Sequence, residues 1–240
     1  LWATVNGGLG VDVDNQQSGA GTGAVTLTYT LDRQVSNNGD MGIQVNSNGA
    51  ITLTSAKHLW VQHNCWSSYC SAGIFLNNGA SLTPALVKVE GTLSTSINSV
   101  DNNGRGLVIG SKGAVTVKNT NVYSNMGYGL QIGDYSGSKP GSVTLTSVVA
   151  QDNGRSGSGV GVLIYPAGTV TIFGLDTRDN RGDGLQIYSG TAVNVTVKKS
   201  VFRRNQAAGS AYGLNIQTTG NVLLDSVNVT GNDYGARVNT

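Results

Sequence analysis

Charge in this 240-residue chain is sparse and uneven, with 15 Lys and Arg against 13 Asp and Glu. Much of it falls in one stretch, 151–205, as Asp152, Arg155, Asp176, Arg178, Asp179, Arg181, Asp183, Lys198, Lys199, Arg203 and Arg204. Asp152, Asp179 and Arg204 each stand directly before an asparagine. If those asparagines mark equivalent turns, the three side chains stack in a column about 5 Å apart. Two carboxylates that close raise one another's pKa and could hold Ca²⁺ or work as an acid–base pair. The competing reading is a surface charge ladder neutralised by Arg204, a common arrangement of small energetic worth. Asp152, Asp179 and Arg204 are therefore weak catalytic candidates.

A second constellation is His58, His63, Cys65 and Cys70. Its spacing, H-x4-H-x-C-x4-C, departs from the short knuckles of structural zinc sites, so no metal is assigned. A local disulfide between Cys65 and Cys70 is the better expectation in a secreted β-rich chain. Trp60, Trp66 and Tyr69 nearby could stack on a sugar ring or cover an enlarged loop, and the covering role is favoured; the loop is where a recognition feature would sit. Thr26, Thr52, Thr116, Thr144 and Thr171 are expected to form one outward column. A flat Thr array orders water in ice-binding solenoids, but Lys88 interrupts this one, and Thr is simply a good outward strand residue. Asn194-Val195-Thr196 and Asn228-Val229-Thr230 fit the glycan-acceptor pattern, of which an Asn- and Thr-rich chain has chance copies.

The elements that must position these residues are written as repeats. Glycine–aliphatic–any–aliphatic occurs eight times, at Gly42, Gly73, Gly106, Gly129, Gly161, Gly184, Gly213 and Gly235, with steps of 31, 33, 23, 32, 23, 29 and 22 residues. A mean near 28 is the period of a solenoid or array. Most copies are preceded by alternating segments such as Val115-Thr116-Val117-Lys118 and Val143-Thr144-Leu145-Thr146, the period-two pattern of a strand with one buried face. No window has helical spacing. An asparagine precedes each glycine phrase: Asn38, Asn64, Asn103, Asn125, Asn153, Asn180, Asn205 and Asn232. Asparagine tolerates the left-handed backbone region and suits a tight turn, and stacked at one turn such amides form a ladder. Three short strands in about 28 residues describe one winding of a parallel β-helix.

The pattern resembles the right-handed parallel β-helix repeat shared by pectate-lyase-like enzymes, phage tailspikes and large bacterial surface proteins. It covers about residue 24 to 240, with 1–23 as a weaker first coil carrying Gly10-Val11-Asp12-Val13. The resemblance implies an all-β, single-domain solenoid over 1–240 of eight to nine coils with three short strands each. At about 4.8 Å per coil the rod is about 40 Å long. Fold alone does not imply chemistry. The paired-aspartate and Asp-His motifs of lyases, polygalacturonases and epimerases find no match here, so no catalytic residue is transferred and no cofactor is assigned; Ca²⁺ enters only with an enzyme.

A net charge of +2 and a pI of 8.6 point to no nucleic-acid partner. No apolar run approaches the roughly 18 residues of a membrane helix. Leu1 is not a start methionine and no leader pattern follows, so the reading is a processed or excised piece of a longer chain. The leading expectation is a non-catalytic structural or adhesin-like module, extracellular or on a cell surface, presenting loops to surface glycans or proteins. The alternatives are a polysaccharide lyase or epimerase built on 151–205, and a self-assembling solenoid that associates end to end or orders water through its Thr column.

Overall fold

The computed structural model describes residues 3–16, 23–64, 72–81, 83–93, 96–102, 104–134, 137–157, 159–207 and 210–240. Among them there is no helix, and every strand pairing is parallel between segments one winding apart. Three columns of strands result. The first runs from Val25–Tyr29 to Val222–Asp225, the second from Ala3–Thr4 to Asn228–Thr230, and the third from Val11–Asn15 to Tyr234–Asn239. The first two join into a single 15-stranded sheet because Ala114–Tyr123 and Ser142–Gln151 run from one into the other without a break. The third column is a separate nine-stranded sheet.

Parallel sheets are ordinarily covered on both faces and read as continuous apolar runs. Here each column covers the others' inner faces and its own outer face meets solvent, so the alternation of an exposed sheet survives in parallel strands. Ile51 and Leu53, Val87 and Val89, Val115 and Val117, Val143 and Leu145 point inward in the first column and are buried, as are Leu107 and Ile109, Leu130 and Ile132, Leu185 and Ile187 in the third. Each such side chain taken from water contributes about 1.5–3 kcal/mol. The register places Thr26, Thr52, Lys88, Thr116, Thr144, Thr171 and Thr196 in one outward column. Beside it Lys88 and Lys118 both pair with Glu90, which breaks the Thr array with an ion-pair cluster.

The windings turn at two bends made by single residues in the left-handed region. Between the first and second columns these are Asn119, Ser147, Gly174, Lys199 and Ser226; between the second and third they are Val5, Asn37, His63, Asp101, Ser124, Asp152, Asp179, Arg204 and Gly231. The asparagines expected to adopt this conformation do not; the residue before each one does. The reason is that the asparagine amide is needed inside, so the reversal falls to its outward-pointing neighbour, at a cost of roughly 1–2 kcal/mol for a non-glycine residue.

Candidate functional site

The buried asparagines form a continuous amide ladder. Each Nδ2 donates to the Oδ1 of the asparagine one winding on: Asn6 to Asn38 at 2.8 Å, Asn38 to Asn64 at 2.7 Å, Asn64 to Asn102 at 3.2 Å and Asn102 to Asn125 at 3.0 Å. The series continues from Asn125 to Asn153 at 3.0 Å, Asn153 to Asn180 at 2.9 Å, Asn180 to Asn205 at 2.8 Å and Asn205 to Asn232 at 2.9 Å. The same Nδ2 groups also reach back to a second-column carbonyl of the preceding winding, as Asn153 does to Val122 at 3.0 Å. Buried amides are tolerated only when satisfied in this way.

Two positions differ from the sequence expectation. Asn102, not Asn103, is the ladder member of its winding, and Asn103 lies outside the described residues. Asn6 is an additional member. The signal was present: Asn6, Asn38, Asn102, Asn125 and Asn180 all stand four residues before the phrase glycine. The glycine itself is now explained. A Cβ at Gly106, Gly129, Gly161 or Gly184 would lie 2.6–2.7 Å from the ladder Nδ2 of the next winding, whereas one at Gly235 would meet nothing. The repeated glycine is the slot that admits the ladder.

Asp152, Asp179 and Arg204 occupy successive windings at the outer turn. Arg204 donates to both oxygens of Asp179, Nε to Oδ1 at 2.7 Å and Nη2 to Oδ2 at 2.9 Å. That bidentate pair holds the Asp179 carboxyl below the usual carboxylate range. Asp152 accepts instead from the Ser124 hydroxyl at 3.2 Å. The two carboxylates bond to different partners, and the column reads as compensated charge. Along the same turn Arg155 reaches Asp101 at 2.9 Å, with His63 3.8 Å away on the other oxygen. Asp176 takes Arg178 at 2.9 Å and Arg203 at 3.6 Å. Among the described residues no cluster of three or more His, Cys, Asp or Glu could hold a metal ion.

Trp60 lies on the outer face of Leu59–Gln62, between Gln34 and Asn98 of the neighbouring windings and near His58. Cys65, Cys70, Trp66 and Tyr69, the disulfide candidates and the remaining loop aromatics, lie outside the described residues.

A polar and aromatic surface lies on the third column, where charge alone did not point. Tyr128, Tyr212 and Tyr234 directly precede the phrase glycine, while Tyr165 and Tyr188 directly follow the phrase. Stacking of windings pairs Tyr165 with Tyr188 at 6.1 Å and Tyr212 with Tyr234 at 5.1 Å between ring centroids. Arg105 sits over Tyr128 and Arg237 over Tyr212, at 5.6 and 5.9 Å. Among them Asp183, only 8% exposed, accepts from the Tyr212 N–H at 2.7 Å and from Asn215 Nδ2 at 3.0 Å. Burial raises its carboxyl pKa, against the opposing pull of those bonds. A recurring tyrosine flanking the glycine was the available sequence signal; the inward tilt of Asp183 had none.

No curated protein and no solved structure matches the chain. A family model described as a right-handed beta helix region matches residues 85–240. With that match, three parallel strand columns and an unbroken inter-winding register, the chain belongs to the right-handed β-helix family.

Proposed function

We propose that this chain is a non-catalytic β-helical module of an extracellular or cell-surface protein, whose work is to hold turns and faces in fixed array for a partner. The observation that carries the reading is the state of the charged stretch 151–205. Of its carboxyls, Asp179 has both oxygens bound by Arg204, which holds it low, and Asp183, raised by burial, has its oxygens taken by the Tyr212 N–H and Asn215 Nδ2. A general acid needs a carboxyl raised toward the working pH, and a general base needs a free lone pair. Asp176 carries two arginines on Oδ2, and its Oδ1 is buried away from solvent. Low charge and a fully saturated interior ladder suit a stiff spacer.

The test is incubation with polygalacturonate and alginate in the presence of Ca²⁺, following absorbance of unsaturated product and chain length. No change is expected. Product that forms with the wild type and disappears in Asp179→Asn or Asp183→Asn would overturn the proposal. Location is tested by treating intact producing cells with protease: surface exposure predicts loss of the chain, and survival until lysis contradicts it.

A further inference from the structure

We propose that the winding 222–239 is a docking surface for residues 3–15 of a second copy, so that copies of this chain join head to tail. This goes beyond the reading of a presenting module and does not depend on it. The amide ladder carries the argument, because it has a direction. From Asn6 to Asn205, the side-chain Nδ2 and the backbone N–H of each member both donate to the Oδ1 of the next asparagine, as Asn205 does to Asn232 at 2.9 and 2.8 Å. Asn232 meets no further Oδ1 among the described residues. Its Nδ2 keeps the Phe202 carbonyl at 2.9 Å and turns back to the Thr230 carbonyl of its own winding at 3.3 Å. On the opposite face, the Oδ1 of Asn6 receives none of the ladder's donors among those residues. Donors on one face and an acceptor on the other are the two halves of one ladder step.

The glycine slots point the same way. A Cβ at Gly10, Gly42, Gly73, Gly106, Gly129, Gly161, Gly184 or Gly213 would lie 2.3–2.7 Å from the ladder Nδ2 of the next winding, whereas one at Gly235 would meet nothing within 4 Å. Glycine in a strand costs conformational entropy and packs no side chain. The slot at Gly235 therefore has the shape of a ladder asparagine and no occupant within the chain. Leu224 and Val238 stand beside it in register with the fully buried Val197 and Ile216, yet they are 38% and 39% exposed.

Register selects a second copy as the occupant. Setting Asn6 of that copy on Asn232, and its Gly10 on Gly235, follows the alignment that the interior windings keep. Ala3 then covers Val229, Val11 covers Ala236 and Val13 covers Val238. Val11, Val13 and Val229 are all aliphatic side chains left half-covered at the margin of the core. The same register lays Asp12 over Arg237, both exposed. Opposite charges directly across a strand pair attract, and like charges there repel. Two 222–239 faces would instead oppose two Arg237 side chains and two sets of Asn232 donors. The joint is therefore heterologous, the kind that builds open chains of copies. In the first column Val222–Asp225 keeps an open edge, because the second copy's Val25–Tyr29 stands one winding further on. A joint over two of three columns is weaker than the interior and yields to dilution.

Sedimentation velocity of the whole chain over a series of concentrations reads the joint, and the mass should grow with concentration. Gly235→Val should weaken association at least tenfold, while its melting temperature, taken at a dilution where the wild type is monomeric, stays unchanged. Asp12→Arg and Arg237→Asp should each weaken association likewise, and the two combined in one chain should restore it. A mixture of Gly235→Val with Asp12→Arg should stop at dimers, since each variant offers one intact face. A wild type that stays monomeric throughout, growth untouched by Gly235→Val, a paired charge swap that restores nothing, or a mixture that grows past two copies would each overturn the proposal.

Discussion

Replacing Asn153 by alanine should be among the most damaging single changes to this chain. The side chain is fully buried and makes four hydrogen bonds. It donates to Asn180 Oδ1 at 2.9 Å and the Val122 carbonyl at 3.0 Å, and it accepts from Asn125 Nδ2 at 3.0 Å and the Asn125 N–H at 3.2 Å. Two of those partners keep another bond: Asn125 Nδ2 still reaches the Ser99 carbonyl, and Asn180 Oδ1 still receives the Asn153 N–H. The Asn125 N–H is stranded in the interior. One stranded donor costs about 1–3 kcal/mol and three lost bonds about 0.5–1.5 kcal/mol each, so the sum is about 2.5–7.5 kcal/mol. That is a large part of the roughly 5–15 kcal/mol that holds a domain folded. The control is Asn121→Ala. Asn121 also donates to an asparagine one winding away, Asn98, at 3.0 Å, but from the half-buried outer face. Asn98 is itself 2% exposed, but removing the half-buried Asn121 side chain opens its Oδ1 to water, and the cost should stay near or below about 1 kcal/mol. Urea unfolding followed by circular dichroism reads both, with the slope fitted freely because an array can lose cooperativity at a weakened winding. Equal costs for Asn153→Ala and Asn121→Ala would refute the claim that the ladder is a principal source of stability.

The glycine slot makes a paired prediction: Gly161→Ala should lower the melting temperature sharply, because its Cβ would meet Asn180 Nδ2 and the Gly184 carbonyl at 2.7 Å, whereas Gly235→Ala should be nearly silent. Equal effects would mean the glycine serves some other need. The buried carboxyl of Asp183 has its pKa raised, so the folded state binds its proton more tightly than the unfolded state and stability falls as pH rises through that pKa. The melting temperature of Asp183→Asn relative to wild type should therefore climb between acid and neutral pH; a flat or falling difference contradicts the assignment. Asp179 and Glu90 titrate the other way, each held low by its basic partners. Their contribution is present above the ordinary carboxylate range and lost as pH falls through it, so Arg204→Ala should lower the melting temperature slightly at neutral pH, leave it unchanged in strong acid, and so flatten the acid limb.

Much of this architecture is legible without coordinates because it is local. Alternation along Val115–Lys118 says which face of a strand is buried, and the spacing of the glycine phrases says that such strands recur once per winding; neither depends on what lies across the gap. What needed the tertiary structure is whatever depends on the registration of one winding over the next. Turns of unequal length blur that registration, so of two adjacent asparagines only the spacing to Gly106 marks Asn102, which meets Asn64 and Asn125. Asp152 and Asp179 read as a carboxylate pair until the stacked turns show Arg204 closing on one of them. Tyr165 and Tyr188 are 23 residues apart in sequence and in contact in space. The hollow lined by Tyr128, Asp183 and Tyr212 takes those residues from three windings, a relation that no single winding contains.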